Sequence, residues 1–257
     1  MNKSSPPCVL TISGHDPTGG AGIQADIETI VHHRCHPCSV ITALTAQDSK
    51  NVAQVFPQRP EHFQCQLDTL LADISFQAIK IGMLGSAEIA SMVADRLSSL
   101  PEVPIVLDPV LKAGGGTNLA NDKLLETLIN HLLPLTTILT PNLQEARRLV
   151  NSDQIEQCAQ TLLTKGCQSI LITSGDEETL QVENIFYDEE NCQTYTWERL
   201  PEGAHGSGCT LASAIAALLA RGMKLQQAVE QAQQYTWETL RHSFRPGHGQ
   251  LFPRRGL

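Results

Sequence analysis

Residues 8–33 read CVLTISGHDPTGGAGIQADIETIVHH. The first six residues form a short apolar run rich in β-branched side chains, and glycine follows at once. Residues 8–13 are therefore predicted as a buried strand. From 21 to 33, Ile23, Ile27, Ile30 and Val31 fall on one face of a helix. Between them, residues 14–22 hold four glycines in nine positions, which permits positive φ and a close backbone approach to a ligand. A buried strand, a glycine loop and an amphipathic helix make the opening unit of a parallel α/β sheet.

The same alternation continues outward along the chain. Strands are predicted at 39–46, 78–84, 105–110, 137–140 and 170–173. Helices are predicted from Pro60 through Leu71, over 88–97, along Leu119 to Leu132, from Asn142, and over 154–165, 206–220 and 225–240. Near-continuous apolar strands between amphipathic helices imply a mostly parallel sheet covered on both faces. Residues 182–187 and 193–197 depart from this pattern and read as an antiparallel hairpin around 188–191. The expected fold class is thus α/β: a three-layer α/β/α sandwich with a late hairpin at the sheet edge. No linker or repeat interrupts it, so residues 1–257 are expected to form one domain.

Composition narrows the function classes. The chain has 257 residues, 41% of them hydrophobic and only 4% aromatic, which suits a core of Leu, Ile, Val and Ala. Its formal charge of −9 argues against non-specific nucleic-acid or anionic-membrane binding. Phosphate could still be held by local backbone amides. No run approaches the roughly 18 apolar residues of a membrane span, and residues 1–7 do not read as a secretion signal. The expectation is a soluble cytoplasmic protein whose eight cysteines are reduced.

In an open α/β sheet, ligands sit beyond the carboxyl ends of the strands. Gly14-His15-Asp16, Gln47-Asp48, Gly82-Met83, Asp108-Pro109, Asn142 and Ser174-Gly175-Asp176 all fall at such ends. Residues 20–25 fit the dinucleotide pattern G-x-G-x-x-A, but no convincing acidic partner follows, so a plain tight turn is an equal reading. A Walker-type G-x-x-x-x-G-K-[ST] loop is absent. His205-Gly206-Ser207-Gly208-Cys209 runs straight into the apolar helix LASAIAALLA. Amides there would form a nest for a phosphoryl group and would lower the pKa of the Cys209 thiol. Asn142 and Glu145 have the spacing of a capping box, and equally of an amide and a carboxylate aimed at a hydrated Mg²⁺. Cys35-His36-Pro37-Cys38 ends a helix rather than opening one, which favours a structural turn over a redox pair. His32 and His33 are expected on a solvated helix end.

The ordered motifs GHDPTGGAGIQAD, SVITALTAQDS, KIGMLGS, VLDPVLKAGGG, TPNLQEA and HGSGCTLASAIAALLA resemble those of the hydroxymethylpyrimidine/phosphomethylpyrimidine kinases of thiamine biosynthesis, in the ribokinase-like superfamily. The resemblance runs from about Val9 to Trp237. It implies phosphoryl transfer from ATP, with Mg²⁺, to 4-amino-5-hydroxymethyl-2-methylpyrimidine and then to its monophosphate. It further implies that Gly14, Asp26, Gln47 and Met83 bind the pyrimidine. Asp108, Asn142 and Glu145 would lie near ATP and Mg²⁺. Gly206, Ser207 and Gly208 would form the anion hole, and Cys209 would accept the hydroxyl proton. Family members are commonly homodimers. The resemblance departs at Thr173, where a lysine is usual, and in residues 200–204, which lack the usual Thr and Asn; Lys112 could stand in for the missing cation. The other readings are a pyridoxal/pyridoxine kinase, a non-catalytic pyrimidine-binding protein, and a thiol redox protein using Cys35 and Cys38.

Overall fold

A computed structural model describes residues 5–100 and 103–256. The reading of residues 1–7 therefore lies, for its first four positions, outside the described residues. The chain opens with β1 (Cys8–His15), α1 (Gly22–His32) and β2 (His36–Gln47), then β3 (Val52–Pro57) and α2 (Pro60–Asp73). Next come β4 (Ala78–Ile81), α3 (Ala87–Leu97), β5 (Ile105–Leu107), α4 (Asp122–Thr127) and β6 (Ile138–Leu139). They are followed by α5 (Leu143–Val150), α6 (Ile155–Thr164), β7 (Ser169–Ile172), β8 (Gln181–Asp188), β9 (Cys192–Glu198), α7 (Ser207–Ala220) and α8 (Leu225–Arg241).

All nine strands among the described residues join one sheet in the order β3-β2-β1-β4-β5-β6-β7-β8-β9. The run from β2 to β7 is parallel, while β3, β8 and β9 are antiparallel. Alternation along each strand sorts the core into two layers. Leu10, Ile12, Ile79, Ile81, Leu107 and Leu139 pack under α2 to α6. Val9, Ala78, Val106, Ile138 and Leu171 pack under α1, α7 and α8. The chain steps from β1 out to β2 on one side and returns to β4 on the other, so the strand order reverses beside β1. A crevice is expected at the carboxyl ends there.

Four local readings need correction. The strand β3 was not foreseen: its residues are mostly exposed and end in proline, as an edge strand tolerates. The Asp48 carboxylate makes the turn into it, accepting from the Lys50 and Asn51 amides at 2.8 and 3.0 Å. The Cys35–Cys38 segment is not a turn. Arg34 turns the chain at φ 62°, and Pro37 and Cys38 already pair with Val9 and Leu10 inside β2. Both thiols are buried, and burial raises both pKa values, which is the opposite of a redox thiolate. His33 is not solvated: it is buried against Tyr235, and burial pushes its pKa down to about 4. Finally, the helix expected along Leu119 to Leu132 is α only over α4 and finishes as a π turn at Leu128–Leu132.

Candidate active site

A cleft of about 630 Å³ opens at the carboxyl ends of the strands. Ten of the eleven expected site residues line it: Gly14, Gln47, Met83, Asp108, Asn142, Glu145, Gly206, Ser207, Gly208 and Cys209. Asp26 does not. It is fully buried on α1, where its carboxylate pairs with Lys80 Nζ at 2.9 Å and accepts from Thr11 Oγ1 at 2.5 Å and Ser213 Oγ at 2.7 Å. Lys80 is also fully buried. Period-two alternation in β4 points Lys80 to the α1 side, while Ile79 and Ile81 face the other core. Every oxygen of Asp26 is occupied by the protein itself, so no lone pair is left facing the cleft.

At the β1–β2–β4 end, a Cβ on Gly14 would lie 2.2 Å from Met83 Cε. Glycine is thus what lets the Met83 thioether lie across the loop, and Thr42 Oγ1 fixes the Met83 carbonyl at 2.5 Å. The half-buried Gln47 side chain ends β2 beside them. The glycine loop is organised by Asp16, which the sequence reading placed at a strand end without giving it a role. Its carboxylate accepts from the Thr18 amide at 2.8 Å, the Ala21 amide at 2.9 Å and His205 Nε2 at 2.9 Å. Burial alone would raise its pKa, but His205, Gln47 and Thr18 together hold it well below the usual carboxylate range.

His205 immediately precedes the second glycine turn. Gly206 caps α7 at φ 86°, and the first helical hydrogen bond is donated by Thr210 to Gly206 at 3.0 Å. The amides of Ser207, Gly208 and Cys209 therefore precede the helical ladder and face the cleft with the positive end of the dipole. Cys209 sits within this nest, yet its thiol is not activated. Burial pushes it up to about 12, Lys80 pulls it down, and the Asp108 and Asp26 carboxylates push it up again. The expectation of a lowered pKa is corrected: desolvation outweighs the helix end.

Glu145 and Asn142 form a full capping box on α5, with Glu145 N donating to Asn142 Oδ1 at 2.8 Å and Asn142 N to Glu145 Oε2 at 3.1 Å. The same carboxylate also accepts from Leu111 N at 2.9 Å. It thereby ties α5 to the segment after β5, where Val110 is held at φ 41°, a strained value for a β-branched residue. Burial raises Asp108 to about 6, with Lys80 opposing and Asp26 adding to the rise. Burial and the Asp108 charge raise Glu145 to about 7. Among the described residues no cluster of three or more His, Cys, Asp or Glu forms a ready-made metal centre. The donor chemistry nonetheless fits Mg²⁺: burial disfavours the charge on both carboxylates, a cation would offset that cost, and Mg²⁺ keeps waters and takes its remaining oxygens from substrate phosphate.

These raised values give a directional prediction. Below about pH 6 both groups are protonated and must lose protons to meet a divalent cation. A Mg²⁺-nucleotide held by these two carboxylates would bind more weakly as pH drops from 8 to 5.5, and its binding near pH 6.5 would release protons. Calorimetry in buffers of different ionisation enthalpy checks this; proton uptake on binding would contradict it.

Thr173, Lys112, Arg199, Trp197 and Trp237 also line the cleft. Arg199 is committed to the loop after β7, donating to the Gly175 carbonyl at 3.0 Å and the Ser174 carbonyl at 3.3 Å. The two tryptophan rings lie 6.5 Å apart and form an aromatic wall. Asp16 and His205 were visible as motif letters, whereas Arg199 and the tryptophans carried no motif signal.

The phosphomethylpyrimidine kinase family model matches residues 16–253. A hydroxymethylpyrimidine/phosphomethylpyrimidine kinase of Synechococcus elongatus is 38% identical over 95% of this chain and 95% of its own length. Among solved structures, an ADP complex of Bacillus subtilis pyridoxal kinase is 30% identical, with a TM-score of 0.90 over 98% of both chains. A phosphomethylpyrimidine kinase from Clostridium difficile is 32% identical, with a TM-score of 0.80 over 90% of this chain and 98% of its own.

Proposed function

Because the chain belongs to the phosphomethylpyrimidine kinase family, we propose that it transfers a phosphoryl group from ATP to 4-amino-5-hydroxymethyl-2-methylpyrimidine and then to the resulting monophosphate, as thiamine biosynthesis requires. The observation that carries this reading is the convergence of Cys209 and the Gly206–Gly208 turn on one cleft with Gly14, Gln47 and Met83. In this reading the flat ring lies against the surface that Met83 and the Gly14 loop form together, and the Gln47 amide reads its exocyclic amine and a ring nitrogen. Asp26 supports that end from below rather than touching the ring. The hydroxymethyl oxygen is directed at Cys209.

The hydroxyl oxygen attacks the γ-phosphorus, the bond to ADP breaks, and the hydroxyl proton passes to Cys209. A neutral thiol cannot accept that proton, so Cys209 must ionise first. The Lys80 ammonium favours the ionised form. The free amides at the start of α7 stabilise charge building on the phosphoryl oxygens, which is where most of the catalysis lies in such transfers. Asp108, Asn142 and Glu145 would hold hydrated Mg²⁺, which supplies charge neutralisation on the phosphates. Lys112, which also lines the cleft, is in this reading the partial substitute for the cation that Thr173 does not provide. The aromatic wall of Trp197 and Trp237 suits the nucleotide base.

A second reading is favoured by one observation, the TM-score of 0.90 to a pyridoxal kinase. Parallel assays with the aminopyrimidine and with pyridoxal separate the two. The aminopyrimidine should have the higher kcat/KM, and Gln47→Leu should lower it by about 10–100-fold through loss of a buried polar contact. A preference for pyridoxal, or indifference to Gln47→Leu, would move the assignment to the vitamin B6 acceptor.

A further inference from the structure

The sheet, the two glycine turns and the capping box leave the chain's last residues without a role. Arg255 is nevertheless among its most deeply buried charges, with its side chain 1% exposed. Its Nε donates to Thr210 Oγ1 at 2.8 Å. Its Nη1 donates to the Gly19 carbonyl at 3.3 Å, and its Nη2 donates to the Gly20 carbonyl. Thr210 Oγ1 in turn donates to the Gly206 carbonyl at 2.8 Å. One planar fork thus grips the substrate-side glycine loop with two donors and the first turn of α7 with a third.

The two loops it joins are in backbone contact. A Cβ on Gly206 would fall 1.9 Å from the Gly20 carbonyl oxygen and 2.8 Å from Arg255 Nη2. The guanidinium therefore lies directly behind the anion hole. Its only carboxylate partner among the described residues, Glu28, is 3.3 Å away and 56% exposed, so water screens it and the positive charge is left largely uncompensated on the buried side. The tail that carries Arg255 is itself fixed. His205 N donates to the Leu251 carbonyl at 2.8 Å, Phe252 packs on His205, and Tyr235 donates to the Arg255 carbonyl at 2.9 Å.

Resting on the kinase reading above, we propose that Arg255 is a positioning residue for phosphoryl transfer: it locks the substrate loop onto the anion hole and sets a fixed positive charge behind it. Arg255 does not line the cleft, so its effect acts through the geometry and field of the Gly206–Gly208 turn.

The test compares wild type, Arg255→Ala, Arg255→Lys and the control Arg254→Ala by steady-state ADP release, thermal melting and amide exchange. Arg255→Ala should lose about 100-fold in kcat, the size expected from a misplacement of order 1 Å, with the pyrimidine KM changed less than about threefold. Millimolar methylguanidine should restore part of the lost kcat. Arg255→Lys, which keeps the charge and loses the fork, should melt near wild type while its kcat stays about tenfold low. Arg254→Ala should keep wild-type kcat. A folded Arg255→Ala with kcat within threefold of wild type would overturn the proposal, as would a loss confined to KM. If Arg255→Ala does not fold, Arg255→Lys decides: wild-type kcat there overturns the clamp. If wild type releases no ADP, the kinase reading fails on its own. The clamp is then judged by exchange alone: faster exchange at both 18–22 and 206–210 in Arg255→Ala or Arg255→Lys supports it, and unchanged exchange overturns it.

Discussion

Cys209→Ala should lower kcat by about 10²–10³-fold, the usual contribution of a positioned general base, while the pyrimidine KM moves little. The thiol lies at the start of α7, beside the free amides and within reach of the Lys80 and Asp108 charges. Because burial pushes it up to about 12 in the free protein, only a small fraction is ionised at neutral pH. The sign of the pH dependence follows. Activity limited by the thiolate should climb as pH rises from 6 toward 9, and the climb should vanish in Cys209→Ala. A Cys209→Ala variant with wild-type kcat and an unchanged pH profile would remove the thiol from the chemistry and leave the anion hole as the main catalytic device.

The second large effect is on stability. Asp26→Ala should lower the unfolding free energy by about 3–5 kcal/mol, because it strands the Lys80 ammonium in the core. Both side chains are 0% exposed. At roughly 2–4 °C per kcal/mol for a chain of this size, the melting midpoint should fall by roughly 10 °C. Adding Lys80→Met should recover a good part of the loss, since an apolar pair of similar volume avoids the unpaired charge. The folded fraction of Asp26→Ala should keep its pyrimidine KM within a few-fold. A variant that melts like wild type but binds the pyrimidine a hundredfold more weakly would return Asp26 to the substrate.

That contrast marks what the amino-acid pattern could and could not convey. Local signals were strong where one segment carried both the strand and its turn. The run from Cys8 through Gly22 into α1, the capping box of Asn142 and Glu145, and the glycine turn before α7 were all legible from spacing. The late hairpin was too, because β8 and β9 are adjacent in sequence. The pairing of Asp26 was not legible because its partner Lys80 lies 54 residues away, and only the folded sheet reveals that each neutralises the other. Cys209 was read as activated because a helix start is visible in sequence, whereas the burial that outweighs it depends on the surrounding layers. The strand β3 was missed because an exposed edge strand lacks the apolar alternation of its neighbours. Arg255 carried no pattern at all: its role comes from a tail that returns to two loops far upstream.

The measurement that bears most directly on the central claim is ADP release at saturating MgATP, first with the hydroxymethyl aminopyrimidine and then with its monophosphate, for wild type and Cys209→Ala side by side. Turnover of both acceptors by wild type, collapsing in Cys209→Ala, is the predicted result. Pyrimidine binding with no ADP release from either acceptor would contradict it, and would leave a protein that holds the ring without transferring phosphate.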